Sequence, residues 1–228
     1  MATPDGLGGQ LPSILLYFAR FPQPYPSKMR TPILPAFYIL LLLFGSSTSA
    51  TADFAVGKQA YGDGDYSTAL RELKPLAESG HAVAQRFLGL MYQYGHGVSQ
   101  NYGRAFKWYQ LSAAQGDAIA QYNIAVMYDD GKGVPRDDAE AVKWYRLAAE
   151  RGDKYAPANL AIMYTKGEGV NRDYVMAYMW WSIAALHRFF LADMDKENLA
   201  QNMTREQISA AEELLLKWLN KHGDVFDN

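Results

Sequence analysis

A chain of 228 residues, of which 49% are hydrophobic, can bury a core and is too apolar for a disordered or collagen-like protein. Its 22 basic and 24 acidic side chains give a formal net charge of −2, which excludes the broad positive surface that nucleic-acid-binding proteins need. Cysteine is absent, which excludes disulfides, thiolate metal sites and cysteine nucleophiles.

The first segment with a defined pattern is 29–52, which has the layout of a secretory signal peptide. Arg30 precedes the apolar run from Ala36 to Phe44, and the segment ends in Ala50-Thr51-Ala52, the small-x-small pattern that signal peptidase accepts. We predict cleavage after Ala52, and therefore a periplasmic or secreted protein with no stable membrane span. The alternative is a retained anchor, although the apolar run is shorter than the roughly 20 residues that cross a bilayer.

Residues 1–28 precede this leader and are rich in proline and glycine without a sustained helical period. A leader normally begins with its own positive region, and Met29-Arg30 supplies one. We therefore predict that 1–28 is a non-native or unstructured extension, with Met29 and Met1 as alternative starts.

The chain then repeats with a fixed period of 36 residues, which is the spacing between Gly95, Gly131 and Gly167. Ten positions carry the same residue in all three copies. The pattern predicts a solenoid over 53–188, made of a divergent first repeat and three full repeats: 53–80, 81–116, 117–152 and 153–188.

Each copy is predicted to contain two helices separated by a glycine-rich turn. In the middle copy the first helix covers about 118–129 and ends near Gly131, where a positive φ is expected. Asp137 or Asp138 is expected to cap the second helix. Apolar residues recur at helical spacing on the inner faces: Ala120, Ile124, Met127 and Tyr128, then Ala141, Trp144, Tyr145 and Ala148.

One hairpin cannot bury both of its faces, so the hairpins are expected to stack. The predicted fold is all-α: a right-handed superhelical solenoid of stacked helical hairpins with a C-terminal capping helix. Each Trp and Tyr is expected to fill the wedge between one hairpin and the next.

Both ends of the repeat array are predicted to be caps. Pro75 falls inside the second helix of the first repeat and is expected to kink it or to leave one carbonyl unpaired. The capping region 189–228 begins its last helix at Thr204, which has capping-box spacing to Gln207. An apolar stripe follows along that helix: Ile208, Ala211, Leu215, Trp218 and Leu219.

The middle copy resembles the Sel-1-like repeat, a relative of the tetratricopeptide repeat. From Ala120 to Gly152 it reads Ala-Gln-x-x-Ile-Ala-x-Met-Tyr-x-x-Gly-x-Gly-Val-Pro-x-Asp and then Ala-x-Lys-Trp-Tyr-x-x-Ala-Ala-x-x-Gly. Pro157 and Trp181 depart from the family's usual Gln and Tyr. The resemblance implies an α-solenoid used for protein–protein contact, often in exported bacterial proteins tied to envelope signalling, exopolysaccharide assembly, secretion or host interaction.

Catalytic and cofactor motifs are missing from the sequence. No serine begins a Ser-x-x-Lys motif, no Gly-x-Ser-x-Gly occurs, and Gly95-x-Gly97 is predicted to be a turn, since no third glycine or P-loop lysine follows it. The four histidines are too scattered for a metal site: His81, His96, His187 and His222. We therefore predict no enzymatic activity, no cofactor and no metal.

The predicted function is that of a protein–protein interaction scaffold or regulator in the bacterial cell envelope, with a protein or peptide as its partner. One alternative is a structural subunit of an envelope, exopolysaccharide or secretion assembly. Another is an envelope hydrolase such as a β-lactam-binding protein, because some relatives have been associated with β-lactam binding.

By resemblance to tetratricopeptide arrays, the first helix of each hairpin is expected to line a concave face that binds the partner. The positions predicted to point inward are Val83, Arg86, Leu90, Gln93, Tyr94, Ile119, Tyr122, Val126, Asp129, Asp130, Tyr155, Ala158, Ile162, Thr165 and Lys166. Arg86, Tyr94 and Tyr122 are the first candidates for interface hot spots, because Arg and Tyr are enriched there. The alternative is a partner that uses the loops or the convex side.

Overall fold

A computed structural model describes residues 47–189 and 191–223, with side chains from Phe54 onward. The extension predicted at 1–28 and the leader up to residue 46 lie outside the described residues. Within the described ranges no β-strand occurs, and there are ten α-helices. In chain order these are α1 Ser47–Gly62, α2 Tyr66–Glu78, α3 Ala82–Tyr94, α4 Tyr102–Ala113, α5 Ala118–Asp130, α6 Asp138–Glu150, α7 Ala156–Lys166, α8 Tyr174–Leu186, α9 Ala192–Ala200 and α10 Arg205–His222.

Consecutive helices form four hairpins: α1 with α2, α3 with α4, α5 with α6, and α7 with α8. The second helix of each hairpin also packs against the first helix of the next, which stacks the hairpins in sequence order. Both α9 and α10 pack against α8. The predicted stack of helical hairpins with a C-terminal cap is therefore confirmed.

The helices begin and end where the sequence supplies caps. Asp137, rather than Asp138, is the N-cap of α6, and its side chain accepts the N–H of Glu140 at 3.0 Å. Gly131 ends α5 in the left-handed region with φ 68°, which confirms the predicted positive φ. Thr204 and Gln207 form both bonds of the predicted capping box at the start of α10.

Pro75 lies within α2, and the helix continues past it to Glu78. The proline carbonyl still accepts the N–H of Ser79 at 3.0 Å. Pro75 itself has no N–H to donate to the carbonyl of Arg71. The helix therefore lacks one backbone hydrogen bond at this point, which is the unpaired carbonyl expected from the sequence.

The second glycine of each inter-helix turn packs against the preceding hairpin. Gly133 has φ 80°, and a Cβ added there would lie 2.7 Å from the backbone carbon and oxygen of Tyr102, the first residue of α4. Gly97 stands in the same relation to Tyr66 of α2, and Gly169 to Asp138 of α6. A side chain at these positions would separate two neighbouring hairpins, which explains why every copy carries glycine there.

The tyrosines and tryptophans of the second helices are buried to different extents. Tyr109 and Tyr145 are 0% and 1% exposed, whereas Trp108 and Trp144 are only partly buried. Trp144 nonetheless packs against buried clusters on both sides of its hairpin, which is the predicted wedge. Trp180 is 2% exposed because α10 covers it, with the ring of Trp218 centred 6.0 Å away.

Candidate partner-binding groove

A cavity of about 740 Å³ opens between α5 and the chain segments that precede α7 and end α8, and we call it the groove. Leu90 of α3 closes one side, and Ile119 and Tyr122 of α5 form the middle. Tyr155, the residue before α7, and Leu186 at the end of α8 form the far side. The groove therefore depends on the stacking of three hairpins.

The walls of the groove combine exposed apolar side chains with a fixed aromatic ring. Ile119 and Tyr155 are each 45% exposed, and Leu186 is 49% exposed. Tyr122 lies between them, with its ring centre 5.9 Å from that of Tyr155, and its hydroxyl accepts a hydrogen bond from Asn159 at 3.4 Å. Because apolar surface at the mouth of a cavity is costly to leave in water, the groove favours an apolar ligand group.

Two cations lie at the edge of the groove. Lys154 and Arg188 line it and are exposed, and no carboxylate of the described residues lies within 4.0 Å of either. The Lys154 ammonium instead stands over the ring of Tyr155, 4.9 Å from its centre. These two basic side chains give a positive edge to the groove of a mildly acidic protein.

Asp153 and His187 also line the groove, but they add less charge to its surface than Lys154 and Arg188 do. Asp153 is 6% exposed, and its carboxylate accepts the N–H groups of Tyr155 and Ala156 at 2.9 Å each. Burial raises the pKa of Asp153 from its ordinary value, and the two N–H bonds oppose that shift. Burial, with the charge of Lys154, lowers the pKa of His187, so this imidazole is neutral at neutral pH.

The structure distributes eleven of the fifteen predicted residues over three cavities. Leu90, Ile119, Tyr122 and Tyr155 line the groove. Ile162, Thr165 and Lys166 line a cavity of about 340 Å³ beside α9. Gln93, Tyr94, Val126 and Asp130 line one of about 220 Å³ near the turn after α5.

Several predicted residues are already engaged inside the protein. Arg86 forms an ion pair with Asp117 at 2.9 Å, and the two side chains are only 16% and 9% exposed. Asp129 accepts a hydrogen bond from the hydroxyl of Tyr145 at 3.3 Å. Gln93 accepts one from the hydroxyl of Tyr109 at 2.6 Å. Arg86 therefore links α3 to the N-cap of α5, and its replacement would test folding as much as binding.

The prediction for Ala158 is wrong, because its side chain is 4% exposed and belongs to the buried core. Arg86 and Tyr122 occupy the same register in the earlier copies and remain partly exposed. The methyl group of Ala158 stays within the buried cluster, whereas the longer side chains of Arg86 and Tyr122 reach the surface. Val83 also packs against a buried cluster, that of the first hairpins.

The concave-face prediction missed eight residues of the groove: Ala118, Asn123, Gly152, Asp153, Lys154, Leu186, His187 and Arg188. Six of them lie in the turn before α7 or at the end of α8, and only Ala118 and Asn123 lie on a first helix, where the concave face is predicted. The sequence does mark Arg188 as unusual. It lies 36 residues after Gly152, at a repeat position that is glycine in the preceding copies.

The described residues contain no group of three or more His, Asp or Glu side chains arranged to hold a metal ion. None of the helices within those ranges combines the length and apolarity needed to span a bilayer.

The Sel1 repeat family model matches residues 82–117, 118–153 and 155–187. The chain contains three Sel1 repeats. Such repeats generally mediate protein–protein interaction and are generally non-catalytic scaffolds. A search of curated proteins gave no match.

Two solved structures with the same kind of repeat resemble this one. The Sel1 repeat protein from Oxalobacter formigenes is 33% identical with a TM-score of 0.60, over 62% of this chain and 58% of that one. A protective antigen of uropathogenic Escherichia coli strains, which displays an SLR fold, is also 33% identical, with a TM-score of 0.66 over 82% of this chain and 40% of that one. This chain therefore spans about half the length of these Sel1-repeat proteins.

Proposed function

We propose that the protein is an interaction scaffold or regulator of the bacterial cell envelope, which binds a partner protein or peptide in the groove. The groove carries this proposal: a cavity of about 740 Å³ in which Ile119, Tyr155 and Leu186 hold apolar surface open to solvent. Aromatic side chains beside a well-formed concavity are typical of the sites where interfaces concentrate their binding energy. Binding through Sel1 repeats requires no catalytic group, and the partner would be recognised by shape and charge.

Export to the envelope is part of the proposal and rests on the leader at 29–52. A cut after Ala52 would remove the first turns of α1 and leave its remainder from Asp53 to Gly62. That remainder includes Phe54, Ala60 and Tyr61, which pack on the core of the first hairpins. Cleavage at this position is therefore compatible with an intact first hairpin.

We expect the mature protein isolated from its native host to begin at Asp53. Edman sequencing of the purified protein measures this directly. A mature product that retains Phe44 would show that the apolar run is an anchor and would end the proposal of a cleaved leader.

Removing the exposed apolar side chains of the groove should weaken partner binding without unfolding the protein. We expect the variant Ile119→Ala/Tyr155→Ala to bind its partner roughly tenfold or more weakly, since both side chains are open to solvent and belong to the groove. The partner is identified by placing a photo-crosslinking amino acid at position 155 of the full chain in its native host. Affinity is then measured with the purified pair, and circular dichroism confirms the fold.

The matched control is Leu111→Ala/Leu147→Ala. These leucines are 50% and 43% exposed, close to the exposure of the groove pair, but they lie on the second helices α4 and α6. If the control loses binding and the groove variant keeps it, the partner uses the opposite helices and the groove is not the site. A partner present in a stoichiometric complex with this protein would favour the structural-subunit alternative. A partner bound at a substoichiometric level would favour a regulator.

A further inference from the structure

Arg188 occupies a position where the repeat otherwise has glycine. The glycines at this repeat position are Gly80, Gly116 and Gly152. They follow the ends of the second helices and have φ values of 100°, 88° and 86°. Arg188 closes α8 with φ 58°, and no other non-glycine residue of the described ranges has a positive φ. A side chain with a Cβ is disfavoured in this region, because it crowds the following carbonyl oxygen.

The turn at Arg188 is nevertheless built like the others. Its N–H donates to the carbonyl of Ala185 at 2.8 Å, and the N–H of Gly152 donates to that of Ala149 at 3.1 Å. The next residues match as well, with Phe189 donating to Ala184 at 3.1 Å and Asp153 to Ala148 at 2.9 Å. Glycine would therefore fit this turn without strain, and the arginine adds nothing to it that the backbone needs.

The arginine side chain contributes to the groove instead. Arg188 lines it together with Lys154, and no carboxylate of the described residues lies within 4.0 Å of either cation. The nearby carboxylate of Asp153 is buried and accepts two backbone N–H groups, and it forms no ion pair with either cation. Strain retained at a position that lines the groove points to a role in binding.

We propose that the groove binds an acidic, apolar peptide segment of the partner: a carboxylate pairs with Arg188 and Lys154 while a neighbouring apolar side chain enters between Ile119 and Tyr155. The guanidinium can donate two parallel N–H bonds to a carboxylate, and the ammonium of Lys154 can donate a further charge-assisted bond. The apolar side chain covers the exposed surface of the groove. This inference rests on the proposed function and specifies the chemistry of the partner at that site.

The first test uses a library of random twelve-residue peptides displayed on phage and selected on the full chain. We expect the selected peptides to be enriched in Asp or Glu next to Leu, Ile or Phe. Reversing the groove charges with Lys154→Glu/Arg188→Glu should remove that enrichment. The control Lys107→Glu/Lys221→Glu makes the same change in net charge at two exposed lysines that do not line the groove, and it should select the same peptides as the natural chain.

The second test separates binding from backbone strain at Arg188. With a selected peptide, fluorescence anisotropy should show roughly tenfold weaker binding for both Arg188→Gln and Arg188→Gly. Only Arg188→Gly should raise the melting temperature, by about 2–4 °C, since only glycine relieves the positive φ. Arg188→Lys retains the charge and should retain most of the binding.

The outcomes distinguish this inference from the proposed function. Selected peptides without acidic enrichment, or acidic peptides whose affinity is unchanged in Arg188→Gln, would overturn the carboxylate pairing. If those peptides still depend on Ile119 and Tyr155, the groove remains the partner site. Failure to select any peptide would also overturn the inference, whereas a partner cross-linked at position 155 would still uphold the proposed function.

Discussion

Replacing Tyr145 with alanine is expected to lower the free energy of unfolding by about 3–5 kcal/mol. The ring is 1% exposed and lies in the cluster that extends from α5 to α10, so its removal leaves a cavity that the stacked helices cannot easily close. Urea denaturation followed by circular dichroism measures the change.

Tyr145→Phe keeps the ring and removes only the hydroxyl that donates to Asp129. We expect it to cost about 0.5–1.5 kcal/mol, since Asp129 is partly exposed and water can replace the lost donor. Leu147→Ala, on the exposed face of the same helix, should change stability by less than about 0.5 kcal/mol. A loss below about 1 kcal/mol for Tyr145→Ala would contradict the buried position of the ring.

Replacing Gly133 with alanine is expected to lower the free energy of unfolding by about 2–5 kcal/mol. The same change at Gly131 is expected to lower it by less. Both residues have a positive φ, 80° and 68°, which disfavours alanine by about 1–2 kcal/mol at either position. At Gly133 the added methyl also meets the backbone of Tyr102 at 2.7 Å, and forcing two packed hairpins apart costs a further ~1–3 kcal/mol.

Gly131→Ala is the matched control for this substitution. There the nearest atom to the added methyl is the Cβ of Arg136 at 3.2 Å, a contact within the same turn that a small shift can relieve. Equal losses for the two variants would mean that backbone strain alone explains the glycines of the turn. A larger loss at Gly133, measured by urea denaturation, supports the close contact between hairpins.

Much of the local structure could be predicted from the sequence because its determinants lie within one helical turn. The cap at Asp137, the positive φ at Gly131 and the capping box of Thr204 with Gln207 each depend on neighbouring residues alone. The period of 36 residues then implies stacked hairpins, since a helical hairpin with two apolar faces needs a neighbour on each side.

The candidate site was less predictable because its contacts join different repeats. Arg86 was expected to be free for a partner, but it pairs with Asp117, 31 residues away, across the interface of two hairpins. Trp144 and Tyr145 are neighbours on the predicted inner face, and only the tertiary packing decides that Tyr145 is enclosed while Trp144 stays partly exposed.

The sequence by itself determined the helices, their caps, the repeat register and the glycine turns, because each depends on interactions among residues close in the chain. Only the tertiary structure decided which first-helix side chains remain open to a partner, and that Lys154, Leu186 and Arg188 join Ile119 and Tyr155 in one groove. These residues come from the last two hairpins and the turns beside them, and their separation depends on how the helices of each hairpin pack against the next. That packing is a property of side-chain volumes at the interfaces, which a periodic pattern does not encode.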